Sequence, residues 1–280
     1  MPQRLPLLVR TASASERIVG AAMRLNDIFW DEVLCAWFVP RQRESINRFV
    51  WGTSESYLPG GASFERGLFE WERQAISEPP FPQAGRILLG GAGGGRELGQ
   101  LCRRGFDVVA FDPSARLCEG ARQVAGSFPN SVVVQASYRD LVTAVQDRTG
   151  PLAPHVLNTS FDAVFLGWAS FSYVLTELDR HDLFCAARKI APKAPLLLDF
   201  AVLQGAEDGK LDRLRPGIRR VCKLLGAPSV RRRGDLFHGT DFMRLTPPGE
   251  IEAVAGASGY RTLYIRWYNE LCAYAMLMPL

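Results

Sequence analysis

Metal and disulfide chemistry have little to work with in this chain. There are three histidines, and the six cysteines at 35, 102, 118, 185, 222 and 272 form no C-x-x-C pair, which argues against a structural zinc site. With 280 residues and 47% hydrophobic content, the protein does not depend on a disulfide framework, and buried reduced thiols are expected. Long apolar runs are missing too. The longest uncharged stretch in mid-chain, Ala163 to Thr176, is 14 residues, short of the roughly 20 that cross a bilayer. Leu5 to Val9 is bracketed by Arg4 and Arg10 and lacks the apolar segment of a secretory signal. These absences predict a soluble, cytoplasmic protein with no membrane partner. Net charge is only +4, but residues 210–233 hold nine Lys or Arg against the single acid Asp212. With the excess confined to one segment, the chain is not a general polyanion binder.

What is present divides into two parts. From Ser13 to Trp37 the apolar residues Ile18, Leu25, Phe29, Val33 and Trp37 recur at spacings of seven and four, the period of one helix face. Aromatic and Gly-rich stretches follow, and Pro79-Pro80-Phe81-Pro82 breaks any regular structure. Residues 1–82 are therefore read as a helical extension or lid and 83–280 as the main domain. In the latter, Arg86–Gly90, Val108–Asp112, Ser131–Gln135, Phe161–Leu166 and Ala194–Asp199 are strand-like, with helical patterns between several of them. Tyr260–Tyr268 and Leu271–Leu280 are joined closely enough to form a hairpin. The expected class is α/β: a doubly wound, mostly parallel seven-stranded sheet with a C-terminal antiparallel hairpin and an N-terminal helical extension.

Leu89-Gly-Gly-Ala-Gly-Gly-Gly95 lies where the first strand hands over to a helix. Glycines there permit positive φ and close backbone approach, and the helix start supplies unpaired N–H groups for a nucleotide-like ligand. The spacing G-x-G-x-x-G of a dinucleotide site is met in neither frame, whereas G-x-G-x-G is met by Gly91, Gly93 and Gly95. Asp112 ends the second strand, where a carboxylate can accept hydrogen bonds from both hydroxyls of a ribose or cap the next helix.

The glycine loop, Val109-Ala-Phe-Asp112, Phe161-Asp-Ala-Val164 and the closing hairpin, in this order, resemble the class I S-adenosylmethionine-dependent methyltransferases over about the last two hundred residues. The resemblance implies S-adenosyl-L-methionine as cofactor, with Gly91, Ala92, Gly93, Gly95, Asp112 and Pro113 around it. It also implies adenine contacts from Ser137 or Tyr138, and further contacts from Gly167, Trp168 and Tyr57. Leu89 and Ser137 stand where the family often has acids. The acceptor pocket is expected beyond the fourth strand, at Gly167 to Tyr173, with Trp168 or Tyr173 offering an aromatic face to the sulfonium.

His238 is the candidate general base, needed only for an acceptor that arrives protonated. His155 and His181 are read as loop and solvated residues. Two readings of the basic stretch Arg213, Arg215, Arg219, Arg220, Lys223 and Arg231 to Arg233 stand: a solvated helix face, or recognition of a carboxylate or phosphate on the acceptor. The leading function is methyl transfer to an O or N atom of a small molecule, with nucleic acid disfavoured as a partner. The alternatives are RNA or protein methylation through the basic segment, a non-catalytic cofactor-binding protein, and a nicotinamide dehydrogenase, which conflicts with the glycine spacing.

Overall fold

The computed structural model describes residues 7–204 and 211–280, with side chains from Ser15 onward; Lys210 of the basic segment lies outside them. Four helices precede the first strand: α1 (Leu7–Trp37), α2 (Pro40–Thr53), α3 (Ala62–Glu65) and α4 (Glu70–Ser77). The sheet strands are β1 (Gly85–Gly90), β2 (Phe106–Asp112), β3 (Val132–Gln135), β4 (Ala163–Leu166) and β5 (Leu196–Ala201), followed late in the chain by β8 (Tyr260–Trp267) and β9 (Cys272–Pro279). They form one seven-stranded sheet in the order β3-β2-β1-β4-β5-β9-β8. The first five strands run parallel, while β9 is antiparallel to both β5 and β8.

Alternation along the strands sends successive side chains to opposite faces. Leu88, Val109, Phe111, Val164 and Leu198 enter one core layer with residues of α7 (Tyr138–Gln146), α9 (Glu177–Ile190) and α11 (Glu250–Ala257). Ile87, Leu89, Val108, Ala110 and Phe165 enter the other, against α4, α5 (Arg96–Arg103) and α6 (Ala115–Ala125). Near-continuous apolar strands are what a sheet covered on both faces requires. The short α8 (Ala153–Val156) leads into β4. No helix among the described residues is long and apolar enough to cross a membrane.

Two features depart from the sequence reading. Asp235–His238 (β6) and Asp241–Arg244 (β7) form a separate two-stranded hairpin, an alternating segment hidden beside the basic run. The basic segment is also not a solvated face throughout. Arg215, on α10 (Arg215–Leu224), is 4% exposed and pairs with Asp31, Glu32 and Asp212, while Arg219 and Arg231 also meet Glu32. These arginines dock α1 onto α10 and the hairpin, where Asp31 accepts the Phe237 N–H at 2.9 Å.

Helix α2 straps the same hairpin. Asn47 donates to the Phe242 carbonyl at 2.7 Å and accepts the Phe242 N–H at 2.8 Å, as a neighbouring peptide would. Arg43 pairs with Asp235 at 2.9 Å.

Candidate functional site

The C-terminal ends of β1, β2 and β4 open into a cavity of about 820 Å³, closed from above by α2, the turn Glu55–Tyr57 and the β6–β7 hairpin. Its floor is the glycine loop. Gly91 has φ +67°, and a Cβ there would fall 2.4 Å from the Ser170 Cβ, so only glycine fits. Gly94 lies under the Glu55–Tyr57 turn, with its hypothetical Cβ 2.0 Å from the Tyr57 carbonyl oxygen.

Asp112 is 7% exposed. Its Oδ2 accepts the Gly93 N–H at 3.0 Å and its Oδ1 the Ser114 N–H at 2.9 Å. Burial pushes its carboxyl up to about 6 against the pull of these two N–H groups. Each oxygen retains a further lone pair on the cavity wall.

Ser137 caps α7. Its N–H donates to Asp140 and its hydroxyl accepts the Asp140 N–H, a reciprocal capping box that occupies the polar groups expected at adenine. Tyr138 is hydrogen-bonded to Ser170 through its hydroxyl at 2.6 Å, and burial raises its pKa above the phenol range.

The far wall is aromatic. Trp168, backed edge to face by Phe69 at 4.8 Å from behind the wall, lies 6.2 Å from Tyr57, with Tyr57 and Trp51 4.9 Å apart and Trp51 and Tyr173 5.2 Å. Trp168 is set by two acids: Glu97 accepts its N–H at 3.2 Å, and Asp199 accepts the next N–H, that of Ala169, at 2.6 Å. Ala169 holds φ +55°. Burial pushes Asp199 up to about 7. Glu97 also receives Arg96, which is bidentate to Glu72, so the floor carries a buried Glu72–Arg96–Glu97 network.

Tyr173 donates its hydroxyl to Asp241 Oδ2 at 2.7 Å. Burial, and then the Asp241 charge, raises its pKa far above an ordinary phenol. His238 is exposed at the end of β6, in register with Asp241 across the hairpin turn.

No protein-family model matches the sequence, and no curated protein matches it. Solved structures do match. A protein from Methanosarcina mazei described as a SAM-dependent methyltransferase aligns with TM-score 0.53 and 16% identity over 76% of this chain and 99% of its own. A SAM-dependent methyltransferase from Leishmania major gives 0.53 and 17% over 85% of each chain. A glycopeptide N-methyltransferase complexed with sinefungin gives 0.51 and 17% over 75% of this chain and 86% of its own. This chain has the class I methyltransferase fold.

Within that fold, Tyr57, Gly91, Ala92, Gly93, Asp112, Pro113, Ser137, Tyr138, Trp168, Tyr173 and His238 all line the one cavity. Gly95 and Gly167 do not line it. Gly95 caps α5 and donates its N–H to Ala92, and the Gly167 N–H donates to the Gly90 carbonyl. Arg215, Arg219 and Arg231 are not among the residues that line this cavity. Leu89 is fully buried, and the acid beside the loop is Glu97. Sequence reading missed Glu97 and Asp241. Glu97 follows the glycines by two residues and was findable, whereas Asp241 needed the hairpin to be seen first.

Proposed function

We propose that this protein is an S-adenosylmethionine-dependent methyltransferase that transfers a methyl group to an O or N atom of a small molecule in the cytoplasm, with residues 1–82 as a lid over the methyltransferase domain. The observation that carries this is the glycine loop and buried Asp112 facing an aromatic wall in a cavity large enough for a donor and an acceptor together. The residues fit the donor. Asp112 suits the ribose hydroxyls, Tyr138 the adenine, and Glu97 with the Gly91–Gly93 backbone the methionyl end. When bound, S-adenosylmethionine supplies a methyl group on a positively charged sulfur, and the faces of Trp168 and Tyr57 favour that charge. The chain's own task is then alignment and exclusion of water, for which α2 and the Glu55–Tyr57 turn form the roof.

Three arginines of the basic segment, which would support an RNA acceptor, are taken up in docking α1: Arg215, Arg219 and Arg231. Calorimetric titration of S-adenosylmethionine and S-adenosylhomocysteine, with NADH as control, tests the reading. Micromolar binding of the sulfur compounds is expected, and binding of NADH alone would overturn it.

A further inference from the structure

One corner of the cavity has a distinct chemistry. Trp51 packs edge to face with Tyr57 at 61° and with Tyr173 at 79°, so the three rings turn their faces in different directions around one corner. Asp241 is in the same corner, 6% exposed. Its Oδ2 is held by the Tyr173 hydroxyl, and its charge also raises the Tyr57 pKa, after burial itself. Oδ1 accepts no hydrogen bond among the described residues, although Asp241 lines the cavity. An ionised carboxylate with one oxygen tied to a phenol and the other free at the cavity can take a cationic donor without giving up a partner.

The acids Glu44, Asp179 and Asp182 also line the cavity, against Arg48 and Arg139. Arg139 is already paired with Glu44 at 3.2 Å and Asp179 at 3.1 Å. An anionic acceptor, the expectation from the basic segment, would meet repulsion here.

Resting on the reading that the donor occupies the glycine-loop end, we propose that the acceptor is an amine bound as its ammonium, with Asp241 as counter-ion and Trp51, Tyr57 and Tyr173 as the walls that receive the cation, and that Asp241 Oδ1 takes up one ammonium proton so that the nitrogen lone pair is free to bond to the methyl carbon as the carbon–sulfur bond breaks. Ring faces attract an ammonium through their quadrupoles, and a buried carboxylate adds a charge-assisted hydrogen bond or ion pair. A neutral alcohol of the same shape gains neither.

The test is calorimetric titration of choline, and of its uncharged carbon isostere dimethylbutanol, into protein saturated with S-adenosylhomocysteine. Choline is expected to bind at least about tenfold more tightly than the alcohol. Asp241→Asn keeps an acceptor for the Tyr173 hydroxyl while removing the charge, and should reduce that preference to below about threefold. Trp51→Leu should reduce it independently, which keeps the test decisive if the first variant does not fold. Equal binding of the two probes to the wild type would overturn the proposal, as would a preference unchanged in both variants. Exclusion of choline by S-adenosylhomocysteine would also overturn it, because the cage would then belong to the donor. If S-adenosylhomocysteine itself does not bind, the donor reading falls, and choline selectivity on the free protein still decides the ammonium site.

Discussion

Replacing Asp112 by alanine separates a ligand-binding role from a loop-tying one. In the folded protein the carboxyl is pushed up to about 6 from 3.8, so keeping it ionised at pH 8 costs about 3 kcal/mol. Alanine removes that cost but strands two N–H groups, those of Gly93 and Ser114, at about 1–3 kcal/mol each. The two effects largely offset, and Asp112→Ala should leave stability at pH 8 between about 1 kcal/mol higher and about 3 kcal/mol lower, a melting shift of about 6 °C or less for a chain of this size.

Ligand affinity has no such compensation. Two hydroxyl hydrogen bonds to a charged group are worth at least about 3 kcal/mol together, so S-adenosylhomocysteine should bind about 150-fold more weakly. The sign with pH follows from the raised pKa. The wild-type folded state takes up a proton as pH falls through 6, gaining about 1 kcal/mol of stability by pH 5 while losing the ionised acceptor. Wild-type affinity should therefore decline below pH 6 and the variant's should not. Calorimetry at pH 5, 6.5 and 8 beside thermal melts reads both. Affinity within threefold of wild type, with a melting loss above about 8 °C, would refute the reasoning and leave Asp112 as a tie between β2 and the glycine loop.

Gly91→Val should abolish S-adenosylhomocysteine binding, because its Cβ meets Ser170 at 2.4 Å and φ is +67°; calorimetry on folded variant checks it. Arg215→Ala leaves Asp31, Glu32 and Asp212 short of their buried partner and should cost about 3–5 kcal/mol in urea unfolding, with faster hydrogen exchange in α1; an unaltered midpoint would remove the docking role. Asp199, pushed up to about 7, stabilises the fold when protonated and ceases to as pH rises through 7. Asp199→Asn should therefore remove about 4 kcal/mol of the stability difference between pH 4 and 8, and denaturant midpoints across that range that parallel the wild type would contradict this.

The sheet was legible because its inner strands are short apolar runs, and Arg86–Gly90, Val108–Asp112 and Tyr260–Tyr268 nearly coincide with β1, β2 and β8. The glycine loop was legible from spacing alone. The β6–β7 hairpin was not, since its alternation at Asp235-Leu-Phe-His and Asp241-Phe-Met-Arg sits beside Arg231 to Arg233, whose charge dominates a sequence reading. The basic segment was legible as a solvated face only in part, because Arg215, Arg219 and Arg231 meet acids of α1. Its acids, Asp31 and Glu32, lie over 180 residues away, so neutralisation occurs only in three dimensions. Asp241 stayed hidden behind the same omission, and the likeness between Asn47 and a strand neighbour has no signature in one chain.

The contact of Gly94 with the Tyr57 carbonyl has a consequence for recombination. The two positions belong to segments that a designer would cut apart at the Pro79–Pro82 break, yet the backbone of one rests on the other with no room for a methyl group. A chimaera joining this N-terminal segment to a related sheet would seat only if that sheet carries glycine at the matching place. With alanine there the Glu55–Tyr57 turn would be lifted and the roof of the cavity left ajar, even though every strand and helix of both parents were intact. Compatibility between the two halves is thus written in a missing side chain.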